Sequence, residues 1–341
     1  MRALRREDGT SPELVPIRAM PFGATHEHVH LLPRIGQPTV AILLSTYNGE
    51  SFLAAQLHSF LAQTHHAWTL YWRDDGSTDG SARLVRDFAA QAGEERCLFP
   101  PGGGCRQITR SFLALLRSAR AGTAPYFAFS DQDDVWLPEK LARGITALEA
   151  VPAGQPALYC AQRIVVDSAL WRTGEPGPLR RPPGFPAALT QNIAPGCTMM
   201  LNRAAADLVL ASNPPDAAWH DWWCYVIVAA SGGQILADPT ATVLYRQHGG
   251  NCVGEPLGTW RRGIAALRRG PVPFMRLLRG HVATLQAQRD SLPADTQRQL
   301  DIIAHGLQGG VRARLRALRL RGFRRQTLLE TLVFRVWFMI G

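Results

Sequence analysis

The sequence predicts an α/β protein: a mostly parallel mixed sheet flanked by helices, followed by a C-terminal helical appendage. Three observations predict it. Short apolar runs rich in β-branched and aromatic residues alternate four times with stretches of helical period between Thr39 and Glu149, the signature of strand–helix units sharing one sheet. Acidic clusters follow the second and fourth runs, at the strand ends where such sheets bind ligands. The last quarter of the chain changes to an arginine-rich pattern of helical spacing.

The first run, TVAILLS (Thr39 to Ser45), is continuously apolar and stops at the turn-forming pair Asn48-Gly49, so it reads as a strand buried on both faces. Phe52, Leu53, Leu57, Phe60 and Leu61 then mark an amphipathic helix ending around Gln63. WTLYW (Trp68 to Trp72) is the second strand, and Thr78-Asp79 can cap a helix carrying Leu84, Val85, Phe88 and Ala89. RCLF (Arg96 to Phe99) is a short third strand broken by Pro100 to Gly104, followed by a helix with Phe112, Leu115, Leu116 and Ala119. YFAFS (Tyr126 to Ser130) is the fourth strand, with a helix from Pro138. Beyond residue 150 the alternation loosens: ALYCAQRIVVD (Ala157 to Asp167) is a long strand and Arg172 to Gly184 an irregular loop. CTMML (Cys197 to Leu201), a helix near His220 and TATVLYR (Thr240 to Arg246) complete the domain, which HGGNCVGEPLG (His248 to Gly258) closes.

With 341 residues, 46% of them apolar and 19% charged, the chain buries a real core and falls outside the disordered, collagenous and disulfide-scaffold classes. Its six cysteines show neither CxxC nor zinc-finger spacing and read as buried residues of a reduced, cytosolic protein. The net charge of +10 is unevenly placed: Pro256 to Gly341 holds sixteen arginines against four acids, leaving residues 1 to 255 slightly acidic. No run is long and apolar enough for a spanning helix, and the N-terminus lacks the apolar core of a secretory signal. The expected organisation is an extension over 1–37, a main α/β domain over 38–255 with halves 38–150 and 151–255, and a basic helical tail over 256–341.

Asp131-Gln132-Asp133-Asp134 packs acids at a strand end. The run is either a solvated turn or a site for a hard divalent cation, with Asp131 and Asp133 as oxygen donors. Asp74-Asp75-Gly76-Ser77 offers the same choice between an Asx turn and a binding loop.

STYNGE (Ser45 to Glu50), RDDGSTDGS (Arg73 to Ser81), FSDQDDVWLPEKL (Phe129 to Leu141), PGCTMMLNR (Pro195 to Arg203), HDWW (His220 to Trp223) and LYRQHGGN (Leu244 to Asn251) together resemble family-two inverting glycosyltransferases of the GT-A fold, and within them the bacterial rhamnosyltransferase branch. The resemblance covers about Pro38 to Val253. It implies that Ser45, Thr46, Tyr47, Glu50, Asp75, Arg110 and Asp131 bind a nucleotide-sugar donor. It implies further that Asp131, Asp133 and His248 hold Mg²⁺ or Mn²⁺, a Lewis acid against the departing nucleoside diphosphate. Asp221 falls at the family's general base, where it would deprotonate the acceptor hydroxyl, with Cys197, Thr198 and Trp222 on the acceptor side; as a bare feature Asp221 reads first as a helix cap. Two features depart from the family pattern: Gly104 to Phe112 is longer than usual, which leaves Arg106 and Arg110 as alternatives with Arg110 preferred, and Pro195 stands where a small residue is common.

The branch implies L-rhamnose from dTDP-rhamnose as donor, and a cell-surface glycan or lipid-linked precursor as acceptor; a UDP- or GDP-sugar, or a non-catalytic glycan-binding member, are the alternatives. A sugar-phosphate nucleotidyltransferase would need a glycine-rich basic loop where STYNGE stands. In the tail, TWRRGIAALRRG, FMRLLRG and VRARLRALRLRGFRRQTLLETLVFRVWFM mix arginines with apolar residues at helical spacing, the pattern of helices lying on an anionic membrane, or packing on the domain with solvated arginines. No nucleic-acid-binding motif accompanies the charge. The expected location is cytoplasmic, peripheral on the inner face of the membrane.

Overall fold

The structure is a computed structural model and describes residues 36–100, 107–174, 176–249 and 270–341; residues 1–35 of the expected extension over 1–37, Arg106, most of the loop after His248 and the expected tail helix TWRRGIAALRRG up to residue 269 lie outside the described residues. Among the described residues nine strands form one sheet in the order β3-β2-β1-β4-β8-β6-β9-β5, with β7 beside β6. Its parallel half comprises β1 (Val40–Thr46), β2 (Trp68–Asp74), β3 (Cys97–Leu98) and β4 (Tyr126–Ser130). The mixed half comprises β5 (Val135–Trp136), β6 (Ala157–Val166), β7 (Arg172–Gly174), β8 (Met200–Asn202) and β9 (Gln234–Arg246). Here β8 runs antiparallel to both β4 and β6, and β6 pairs in parallel with β9.

The strand period of two divides β1 between two cores. Val40, Ile42 and Leu44 face the layer made by α1 (Glu50–Leu61), α2 (Ser81–Ala92) and α4 (Lys140–Glu149), whereas Ala41 and Leu43 face α3 (Gln107–Arg120), α5 (Arg203–Ala211) and α6 (His220–Ala230). Covered on both sides, β1 has to be apolar throughout. The structure departs from the prediction around Cys197 and after Asn202. The predicted strand from Cys197 begins only at Met200, because Gly196–Thr198 is a 3-10 turn closed by Thr198 N–H to Pro195 O (2.9 Å). α5 was missed, although the Asn202 side chain caps it by accepting from Ala205 N–H (2.9 Å).

Among the described residues four further helices follow: α7 (Pro271–Ala287), α8 (Ala294–Gln308), α9 (Val311–Leu318) and α10 (Leu328–Ile340). They pack on the domain. Met275, Leu278, Val282, Ile303, Phe334 and Phe338 are buried in the same core as Trp223 and Tyr225 of α6. The turn before α10 also grips the segment ahead of α6. Gln326 Oε1 accepts from Arg180 N–H (2.9 Å) and Arg181 N–H (3.0 Å), Gln326 N–H donates to Gln191 Oε1 (3.0 Å), and Arg325 Nε donates to Thr190 O (2.7 Å). Among the described residues, no helix is long and apolar enough to cross a membrane.

Candidate functional site

The parallel strands β1, β2 and β4 deliver three loops to one edge of the sheet. After β1, Asn48 takes φ +48°, a left-handed turn that asparagine tolerates. Tyr47 is left exposed there, Ser45 is half-buried and Thr46 is buried. Gln132 ties this loop to the acidic run: its Oε1 accepts from Tyr47 N–H (2.8 Å) and its Nε2 donates to Tyr47 O (3.0 Å). A Cβ on Gly49 would come within 2.5 Å of that amide, so the clamp needs glycine.

The expected nucleotide-binding residues have fixed partners. Thr46 Oγ1 donates to Asp74 Oδ1 (2.9 Å) and accepts from Trp72 Nε1 (3.0 Å). Asp74 also forms the Asx turn, accepting from Gly76 N–H and Ser77 N–H. Asp75 is buried, with Arg73 Nε at 3.1 Å and Ser111 Oγ at 2.6 Å. Glu50 is turned toward α2, where its carboxylate accepts from Gly80 N–H (2.9 Å) beside Arg83. Arg110, exposed on the first turn of α3, lies 3.3 Å from Asp216.

The acidic run is anchored from β9. Arg246 donates from its backbone to Asp134 Oδ1 (3.0 Å) and from Nε to Asp133 O (2.8 Å), while His248 Nε2 sits 2.8 Å from Asp133 Oδ2 with its ring 4.5 Å from that of Phe52. Of the expected metal set, Asp133 and His248 therefore meet directly. Asp131 instead lies with Asp134 and Cys197, their ligand atoms within 4.8 Å of one another. Burial, and then the charges of Asp134, Asp133 and Asp221, push the Asp131 carboxyl well above the usual range. Burial and Asp133 raise Asp134 to about 7. Beneath them Lys140 is buried, its Nζ without a hydrogen-bond partner 4.5 Å over the Trp136 ring, and burial lowers it to about 8.

Crowded carboxylates, two of them with raised pKa and Asp134 Oδ2 buried and unpaired, fit a divalent cation: added positive charge would relieve the repulsion and engage the unshared lone pairs. The oxygen donors suit a hard ion. Cys197, whose thiol burial and the neighbouring acids push well upward, does not.

On the other side of the site, α6 opens with His220 and Asp221. Asp221 is held by three donors: Oδ2 accepts from Asn192 Nδ2 (3.0 Å) and Gly196 N–H (3.1 Å), and Oδ1 from Trp222 N–H (2.6 Å). These bonds favour the anion. Burial opposes them and prevails, so its pKa is raised; the helix terminus alone would have lowered it. Next to it, His220 stacks on Phe112 at 4.0 Å and burial drops it to about 3, leaving a neutral ring. Gly196 makes room for that ring, since a Cβ there would meet His220 Nε2 at 2.7 Å.

The expected acceptor-side residues divide. Trp222 is half-buried and donates from Nε1 to Ala188 O (2.7 Å), but Cys197 and Thr198 are buried at 1% and 0% exposure, so they shape the wall from behind. A surface hollow of about 400 Å³ near Arg181 and Ile193 contains none of these acids. Sequence reading missed Gln132, Asn192 and Lys140 as parts of the site. Gln132 and Lys140 lie inside the quoted motif around the acidic run, and Asn192 just ahead of Pro195.

A family model described as glycosyl transferase family 2 matches residues 41–208. The dTDP-rhamnosyl transferase RfbG of Shigella flexneri is 26% identical over 223 residues, covering 62% of this chain and 73% of the relative. The putative glycosyltransferase EpsE of Bacillus subtilis is 31% identical over 112 residues, 33% of this chain and 39% of the relative. Among solved structures, S. aureus TarS 1–349 in complex with UDP-GlcNAc matches with a TM-score of 0.55 at 13% identity, covering 82% of this chain and 78% of that one. At that identity the likeness is one of fold.

Proposed function

The chain belongs to glycosyl transferase family 2, with a GT-A fold, and from that premise we propose that it moves a sugar from a nucleotide-sugar to a hydroxyl of a cell-surface glycan or lipid-linked precursor, with inversion, by a single displacement. One observation carries the reading. Asp221, held by three donors, lies close enough to the acidic run for its charge to act on Asp131, so a base and an acidic cluster suited to a cation share one edge of the sheet.

In this reading Asp221 takes the proton of the acceptor hydroxyl as its oxygen attacks the anomeric carbon, opposite the leaving nucleoside diphosphate. Its raised pKa makes it a stronger base than an ordinary carboxylate. Asn192 and Gly196 hold one oxygen, fixing the direction in which the carboxylate accepts. Ser45, Thr46, Tyr47 and Asp75 shape the nucleotide pocket, the last three largely through the fixed contacts described above, and Arg110 supplies positive charge at its rim. Asp131, Asp133 and His248 would hold Mg²⁺ or Mn²⁺, which when bound offsets the charge growing on the diphosphate. Neutral His220 excludes water behind Asp221.

L-Rhamnose from dTDP-rhamnose is the favoured donor, supported by the relative RfbG; UDP- and GDP-sugars are the alternatives. The chain retains Asp131, Asp133 and Asp221, which argues against a non-catalytic binding role. The C-terminal helices keep the enzyme at the cytoplasmic face of an anionic membrane, beside a lipid-linked acceptor. The test is incubation with dTDP-rhamnose and a cell-envelope lipid extract, reading released dTDP and the anomeric configuration of the product by NMR. Inverted product supports the proposal; retained configuration, or no release with any nucleotide-sugar, overturns it.

A further inference from the structure

α10 is apolar on two opposite sides. Phe334, Trp337 and Phe338 point into the core, whereas Leu328, Leu332, Val336 and Ile340, four residues apart and so on one stripe, are 75%, 59%, 57% and 68% exposed. A helix that merely packs on a domain turns charged or polar residues to water on that side. α9 extends the patch with Val311 and Leu315, both exposed, and a groove of about 400 Å³ between the two helices is lined by Leu315, Arg319, Arg335, Val336 and Ile340, among others.

The border of the patch is basic. Arg312, Arg316, Arg319, Arg321, Arg324 and Arg335 are all exposed, and the one acid after Asp301, Glu330, is buried in the capping box with Thr327. Two copies of this face brought together would set arginine against arginine. An anionic lipid surface meets both demands, taking the apolar stripe into the acyl boundary and the arginines onto phosphates.

We propose that the outer face of α9 and α10 is an interfacial anchor for an anionic leaflet. It deepens the membrane placement above and rests on it. The face also has a defined relation to the site: Leu328 directly follows the turn Arg324–Thr327, whose Arg325 and Gln326 bond the segment 180–191 ahead of Asn192 and α6. The face is thereby tied to the segment that leads to the acceptor side of the site.

The experiment is co-sedimentation of the full chain with vesicles of phosphatidylcholine alone and of equal parts phosphatidylcholine and phosphatidylglycerol. Binding should favour the anionic vesicles by at least tenfold and weaken with salt. The double substitution Leu332→Ser/Val336→Ser should lower binding by about tenfold or more, and Arg316→Gln/Arg319→Gln by a similar factor. Both alter exposed side chains, so thermal melting and nucleotide affinity should match the wild type. Equal binding to both vesicle types, no binding to anionic vesicles, or wild-type binding by either variant overturns the proposal. So does a concentration-dependent dimer that the Leu332/Val336 variant abolishes in the absence of vesicle binding, which would assign the face to a second copy. Loss of nucleotide binding by the wild type with vesicle binding intact would count against the transferase reading and leave the anchor supported.

Discussion

Replacing Asp221 by asparagine tests the base directly, and the structure separates its catalytic effect from its structural one. The carboxylate accepts three N–H groups. In Asp221→Asn the amide oxygen keeps Asn192 and Gly196, and the new NH₂ faces Trp222 N–H, so one bond is lost, at about 1–3 kcal/mol. Part of that is offset, because burial already disfavours the ionised carboxylate. The net loss of stability should be about 2 kcal/mol or less, small enough for the protein to stay folded. Loss of a general base, by contrast, lowers turnover by about a hundredfold to ten-thousandfold, about 3–5 kcal/mol of barrier. The assay pairs initial transfer rates at saturating donor with urea denaturation and calorimetric nucleotide affinity. Low turnover at near-normal affinity and stability supports the assignment. Turnover within tenfold of the wild type would refute it and leave Asp221 as a cap of α6.

Two other predictions concern the frame around the base. His281 of α7 is buried between Trp222 and Trp223 with neither ring nitrogen bonded, and burial lowers it from 6.5 to about 4. A folded state that keeps this ring neutral is at full advantage above pH 6.5 and loses it as pH falls toward 4, by about 3 kcal/mol; urea titrations should show that His281→Phe, which keeps the ring packing, escapes this part of the acid destabilisation, and parallel pH profiles for the two proteins would contradict it. Gly196→Ala drives a Cβ to 2.7 Å from His220 Nε2, a ring stacked on Phe112 and tilted against Phe129 that has little room to yield. It should cost about 1–3 kcal/mol in a denaturant melt, and an unchanged midpoint would show that the ring moves.

Much of the fold was legible because its signals are local. YFAFS became β4 without a shift of boundary, and the helix at His220 began where expected. The two-residue β5 was not legible, because Val135-Trp136 becomes a strand only by pairing with β9. Site positions were legible as motifs, yet their partners were not. Gln132 reaches Tyr47 across 85 residues, and Glu50 reaches Gly80 across 30, so nothing local in STYNGE announces that its glutamate serves α2. The C-terminal helices show the same limit: helical spacing identifies apolar positions, but only packing tells that Phe334 faces inward while Leu332 faces out.

The central claim is that the acidic run holds a cation against a nucleoside diphosphate. Calorimetric titration of the wild type and Asp133→Asn with UDP, dTDP and GDP, each with and without Mn²⁺, tests it most directly. The account predicts metal-dependent binding that favours dTDP and weakens by about tenfold or more in Asp133→Asn, as expected when a cation loses a carboxylate ligand. Binding that ignores Mn²⁺, or no binding of any of the three, would contradict it.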